Sequence, residues 1–155
     1  MGDLLPDGAL VADVGSGAGL PGLALALARP DCQFILIEPL ERRVSWLDMV
    51  VDDLGLENVD VVRARSEQVV GNVVVDVVTA RAVSALKTLV PMTVPLLQGS
   101  GELLAIKGRS AADEVRTAAK VLKKHKCSTP VIETVGGDLL AEPTTVVRVA
   151  VGRGR

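Results

Sequence analysis

Val11-Ala12-Asp13-Val14-Gly15-Ser16-Gly17-Ala18-Gly19-Leu20-Pro21-Gly22 decides how this chain is read. A short β-type run ends near an acid, four glycines fall within the next eight residues, and a helix-like stretch, Leu23 to Ala28, follows. Glycine turns tightly and lets backbone come close to a ligand with no Cβ in the way. Between a strand and a helix N-terminus, such a loop is a nucleotide-binding device. A bare strand–helix turn does not require four glycines.

Two patterns overlap in it. Gly17-x-Gly19-x-x-Gly22 matches the dinucleotide fingerprint, in which the helix N-terminus receives a pyrophosphate. Asp13-x-Gly15-x-Gly17-x-Gly19 is similar to the acid-G-x-G-x-G loop of S-adenosylmethionine-dependent methyltransferases. A carboxylate at Asp13 repels a pyrophosphate but suits the cationic amino group of a methionine moiety. Pro21 is placed as an early helical residue, where its missing N–H is not needed. Further on, Phe34-Ile35-Leu36-Ile37-Glu38 reads as a buried strand ending in an acid, 23 residues after Gly15. An acid at that distance can accept hydrogen bonds from ribose hydroxyls. Both cofactor classes use one, so Glu38 supports an adenosine cofactor without choosing between them.

The rest alternates strand and helix. Strands are expected at Ala9–Val14, Gln33–Ile37, Val59–Ala64, Val73–Ala80, Glu102–Ile106, Val131–Val135 and Thr144–Val151. Helices are expected at Leu20–Ala28, at Glu41–Leu54 with Val44, Leu47, Val50, Val51 and Leu54 on one stripe and Gly55 as its stop, and at Ala111–Lys124. A short turn or helix fits Ser66–Val70. Ser84–Leu97 reads as a helix that Ser84 can cap, broken or kinked by Pro91 and Pro95. Five strands alternating with helices, then two strands around a Gly136-Gly137 turn, imply a mainly parallel α/β sheet that ends in an antiparallel hairpin. Dinucleotide folds are usually all parallel, so the terminal hairpin favours the Rossmann-like methyltransferase class with seven strands. No repeat or linker divides the chain, which reads as one domain over 1–155.

Composition narrows the partners. Of the 155 residues 48% are apolar, with one Phe, one Trp and no Tyr, so stacking platforms for bases are nearly absent and single-strand binders built on aromatic faces are disfavoured. Trp46 reads as core. No run is long enough to span a membrane, no secretory leader is visible, and Cys32 and Cys127 lack metal-type spacing beside a single His. No metal site and a cytoplasmic location are expected. Residues 1–104 carry 7 basic and 14 acidic side chains, residues 105–155 carry 10 and 5. Lys107, Arg109, Arg116, Lys120, Lys123, Lys124 and Lys126 make the second part a candidate polyanion footprint or a solvated basic face.

Taken together, Asp13–Gly22, Leu54-Gly55-Leu56-Glu57-Asn58, Arg65-Ser66-Glu67, Thr79-Ala80-Arg81-Ala82 and Leu104-Ala105-Ile106-Lys107-Gly108 resemble the RsmG (GidB) family over roughly residues 8 to 151. That resemblance implies a class I methyltransferase that uses S-adenosylmethionine to methylate N7 of a guanosine in 16S ribosomal RNA, naked or in the small ribosomal subunit. Family members carry a further N-terminal helical region not seen in this sequence, so the resemblance implies a catalytic domain cut at that boundary or a short relative. By matched position it assigns Asp13, Gly15, Gly17, Gly19, Leu20, Glu38, Ser66, Glu67 and Arg81 to the cofactor. Arg65, Arg81 and Lys107 fall to the RNA and the transfer step. A ring nitrogen with an in-plane lone pair needs no general base, and positioning provides most of the catalysis. No obligate protein partner is implied. A small-molecule methyltransferase and a non-catalytic cofactor-binding or ribosome-associated module are the alternatives.

Overall fold

The computed structural model describes residues 1–81, 84–136 and 144–152. After a short 3-10 turn (Gly2–Leu4) come β1 (Leu10–Val14), α1 (Gly22–Ala28), β2 (Gln33–Glu38), α2 (Glu41–Leu54), β3 (Val59–Arg63) and α3 (Ser66–Val69). The second half holds β4 (Val77–Arg81), α4 (Leu86–Thr93) with a 3-10 extension (Val94–Leu97), β5 (Gly101–Lys107), α5 (Ala111–Thr117), α6 (Ala119–Lys124), β6 (Val131–Val135) and β7 (Thr144–Val151). The seven strands form one sheet in the order β3-β2-β1-β4-β5-β7-β6. β1 to β5 run parallel, and β7 is antiparallel to both β5 and β6.

Strand alternation builds a core on each face. Ala12, Val14, Val78, Ala80, Leu103 and Ala105 pack with Leu86, Leu89 and Val90 of α4. Val11, Phe34, Leu36, Val77 and Leu104 turn the other way, toward Leu23 and Leu25 of α1 and Leu47 of α2. Valine-rich central strands covered on both faces are what a parallel sheet requires. Because the parallel strands end together, Val14, Glu38, Arg63, Arg81 and Lys107 close one rim. Chain order reverses between β1 and β4, which makes that part of the rim the ligand-binding crevice of such sheets.

Several elements depart from the sequence expectation. The fourth strand starts at Val77 rather than Val73, because the Val73 N–H bonds to Val69 O and the Val75 N–H to Leu96 O instead of to a neighbouring strand. The expected helix over 111–124 divides at Ala118, whose N–H is shared between Glu114 O and Val115 O. Such sharing tightens one turn toward 3-10 geometry. Pro21 sits just before α1 rather than inside it. Trp46 is 42% exposed, not core. It lies one position off the stripe on which Leu47 alone is fully buried, and Leu54 at the stripe's end is 51% exposed. Gly55 closes α2 in the left-handed conformation as expected, and the proline-bearing segment breaks after Thr93. Ala82 and Gly137 lie outside the described residues.

Candidate active site

The glycine loop is held from beneath by two buried acids. Asp13, 1% exposed, stands opposite Thr79 in the sheet. Thr79 Oγ1 donates to its Oδ1 at 2.6 Å and the Gly22 N–H to its Oδ2 at 3.3 Å. Burial pushes the Asp13 carboxyl up to about 6, against the downward pull of those hydrogen bonds. A Cβ on Gly22 would lie 2.5 Å from Leu36 Cδ2 and 2.7 Å from Asp13 Oδ2, so only glycine lets α1 start this close to the sheet. Asp13 therefore ties β1, β4 and α1 together. Each of its two oxygens already accepts one hydrogen bond from within the protein.

Glu38, 2% exposed, is the second acid. Its Oε1 accepts from the Gly17 N–H at 2.8 Å and its Oε2 from the Leu40 N–H at 3.0 Å, with Arg43 Nη1 3.9 Å away. The Gly15 N–H bonds to Ile37 O at 2.8 Å. Gly15, Gly17 and Gly19 all take positive φ, at 70°, 54° and 91°, which a side-chain-bearing residue adopts only at a cost.

Two cavities open on the rim. The first, about 410 Å3, is lined by Val14, Gly15, Ile37, Pro39, Ala64, Arg65, Ser66, Glu67, Pro91 and Met92. It offers apolar walls, one bare glycine and a polar end at 65–67, the mix that holds a nucleoside. The second, about 520 Å3, is lined by Arg81, Ser84, Ala85, Ile106, Lys107, Gly108 and Glu114. Lys107 Nζ pairs with Glu114 Oε1 at 3.1 Å, their side chains 5% and 20% exposed, and also donates to Ser84 O. Glu114 accepts from the Leu86 N–H at 2.9 Å and from Ser110 Oγ at 3.1 Å. Burial pulls the Glu114 carboxyl up, but those hydrogen bonds and the Lys107 charge outweigh it and hold it below the usual glutamate range.

The rim thus gathers Gly15, Arg65, Ser66 and Glu67 in one cavity and Arg81 and Lys107 in the other. Asp13, Gly17, Gly19, Leu20 and Glu38 line neither, and Leu20 is 49% exposed. Lys107 is no free cation for RNA, since burial and Glu114 both engage it. Sequence reasoning missed Pro39, Ala64, Pro91 and Met92 as walls, read Ser84 only as a cap, and missed Glu114 altogether. Glu114 had a faint signal as an acid in the first turn of the helix after β5. The basic stretch also divides. Cys127 bridges to Val151, which pairs with Gly101 at the start of β5. Lys126 therefore lies at the rim opposite the cavities. Among the described residues no group of His, Cys, Asp or Glu side chains could hold a metal ion, and no helix is long and apolar enough to cross a membrane.

Residues 3–140 match the family model described as rRNA small subunit methyltransferase G, or GidB. A protein of Pseudarthrobacter chlorophenolicus named Ribosomal RNA small subunit methyltransferase G is 62% identical over 149 residues, covering 96% of this chain and 69% of that one. Its namesake in Arthrobacter sp. is 62% identical over 148 residues, 96% of this chain and 68% of its own. Among solved structures, the tRNA methyltransferase TrmK of B. subtilis superposes with a TM-score of 0.69 at 21% identity, over 97% of this chain and 63% of that one. A SAM-dependent O-methyltransferase of Thermotoga maritima gives 0.72 at 14% identity, over 99% and 64%. At those identities the two structures speak for the fold.

Proposed function

The chain belongs to the GidB family of rRNA small subunit methyltransferases, and from that membership we propose that it methylates N7 of a guanosine in 16S ribosomal RNA. It is an S-adenosylmethionine-dependent methyltransferase. The observation that carries the RNA reading is the pairing of two cavities on one rim, one beside the glycine loop and one that carries the charged side chains of Arg81, Lys107 and Glu114. A ribosomal RNA substrate places the reaction in the cytoplasm.

The residues present fit the cofactor. The first cavity combines apolar walls at Ile37, Pro39, Ala64 and Met92 with a glycine at its floor. In our reading Ser66 and Glu67 border the adenine. Glu38 takes the ribose hydroxyls with the lone pairs left over from Gly17 and Leu40, since each carboxylate oxygen can accept twice. Gly17, Gly19 and Leu20 shape the loop rather than touch the base. The cofactor supplies an activated methyl group when bound. The protein's own part is to hold the acceptor nitrogen in line, and its lone pair leaves no proton for a side chain to remove. Arg81, exposed at the end of β4, orients the nucleotide at the junction of the cavities, and Arg65 contacts RNA at the first cavity's mouth.

The test is transfer of radiolabelled methyl from S-adenosylmethionine to small-subunit rRNA, naked and as assembled particle. The wild-type chain is expected to label RNA, and Arg81→Ala to lose at least ~100-fold in rate while still binding S-adenosylhomocysteine. Cofactor binding without any RNA labelling by the wild-type chain would overturn the proposal.

A further inference from the structure

We propose that Ser84 is a substrate-binding residue whose hydroxyl hydrogen-bonds the target nucleobase in the cavity formed by Arg81, Ile106, Lys107 and Glu114. This rests on the reading that the acceptor is an RNA base. By sequence, Ser84 is a helix cap. In the structure α4 begins at Leu86 without any side-chain cap from its own segment. The capping contact comes instead from Glu114 of α5, which accepts the Leu86 N–H. The Ser84 carbonyl is held as well, by Lys107 Nζ. The hydroxyl is left over. Among the described residues Ser84 Oγ is the buried side-chain oxygen with no hydrogen-bond partner.

A buried polar atom without a partner costs stability and calls for an explanation. Here the residue lines a cavity of about 520 Å3, ample for a nucleobase, and is only half-buried as a whole. Rotation about χ1, a fast event for such a side chain, can present the hydroxyl to that space. A hydroxyl both donates and accepts, so it matches either kind of group on a purine edge. The chain's aromatics offer no competing mode. Phe34 is 1% exposed within the core and Trp46 lies on α2, so neither lines this cavity. Without an aromatic platform, edge hydrogen bonds and the Arg81 guanidinium carry the recognition.

The experiment compares wild type, Ser84→Ala and Ser84→Thr in single-turnover methylation of small-subunit rRNA, alongside S-adenosylhomocysteine affinity and thermal unfolding. Ser84→Ala is expected to lower kcat/KM for RNA about 5- to 10-fold, the range for loss of one neutral hydrogen bond. Cofactor affinity should stay unchanged and Tm should stay equal or rise, because the deleted hydroxyl satisfies nothing in the free protein. Ser84→Thr, which keeps the hydroxyl, should retain most of the activity. Wild-type kcat/KM in Ser84→Ala would overturn the assignment, as would an activity loss that came with a lowered Tm and weakened cofactor binding. A wild-type chain that labels no RNA would overturn the RNA reading itself, a result separable from the first because no variant is involved.

Discussion

The loop after β1 and the corner after β4 share one rim and are built in opposite ways. In the loop, Asp13, Ser16 and Glu38 are all buried and all partnered, and their partners lie within the protein. In the corner, Arg81 is exposed, the Lys107–Glu114 pair is half inside, and Ser84 keeps an unpartnered hydroxyl. The loop is a finished object whose backbone shape binds a ligand, with only the spare lone pairs of Glu38 left to add to it. The corner is an unfinished one whose side chains await a ligand. A region that recognises through backbone can satisfy its side chains in advance, whereas one that recognises through side chains has to leave some of them unsatisfied.

The sharpest way to break the first half of that comparison is Gly22→Ala. The added methyl meets Leu36 Cδ2 at 2.5 Å and the pinned Asp13 Oδ2 at 2.7 Å, both in a fully buried corner. Overpacking of this kind costs about 3 kcal/mol, well above the helix-propensity gain of Ala over Gly of about 1 kcal/mol. Urea unfolding should show the midpoint falling accordingly, with cofactor affinity lost alongside. An unchanged midpoint would mean that the loop has slack and is not finished in the sense argued above.

The two regions also differed in how far the sequence disclosed them. Glycines at 15, 17, 19 and 22 are demanded by φ values and a close approach that other residues resist, so the loop announces itself, as does the seven-stranded sheet through its valine runs and terminal hairpin. What a polar side chain does depends on neighbours distant in sequence. Asp13 reads in sequence as a ligand for a cation, and its bond to Thr79, 66 residues away, is invisible there. Lys107 looked free until Glu114 came round on α5, and that same glutamate relieved Ser84 of its cap. Trp46 misled for a simpler reason, since α2 covers the sheet with a strip too narrow to include it.

Glu114→Gln probes the corner with a smaller expected effect. The amide still accepts the Leu86 N–H, but the Lys107 ammonium, 5% exposed, loses its counter-charge. Removing one member of a largely buried pair leaves an uncompensated charge, here about 2 kcal/mol because Glu114 keeps some contact with water. The pH dependence follows from the lowered Glu114 pKa. A carboxyl held below its unfolded value stabilises the protein above that unfolded value, and the contribution is lost as pH falls through the folded one. Wild type should therefore lose stability on acidification below about pH 4.5 faster than Glu114→Gln, read as Tm against pH. Parallel curves would mean that the pair contributes nothing and that the corner is less constrained than its geometry implies.

Asp13→Asn should change stability at neutral pH least, since relief from a buried charge offsets the loss of one of its two accepted hydrogen bonds, an amide having a single oxygen to offer Thr79 and Gly22. Its signature is a slope of opposite sign. With a folded pKa near 6 and an ordinary unfolded value of 3.8, Asp13 holds its proton more tightly in the folded protein. Its neutral form favours folding below that window, and the contribution is lost as pH rises through it. The wild-type Tm should accordingly sag between about pH 4 and 6, and the sag should vanish in Asp13→Asn while the Glu114-linked acid loss remains. Two carboxyls on one rim, one buried and one partly exposed, would then titrate in opposite senses. The one in the finished loop carries a desolvation penalty that its hydrogen bonds only partly offset, and the one in the open corner is held charged by the lysine beside it. If both variants flattened the same limb of the curve, the two regions would be electrostatically alike, and the distinction between a loop closed on itself and a corner kept open for a ligand would rest on the Ser84 hydroxyl alone.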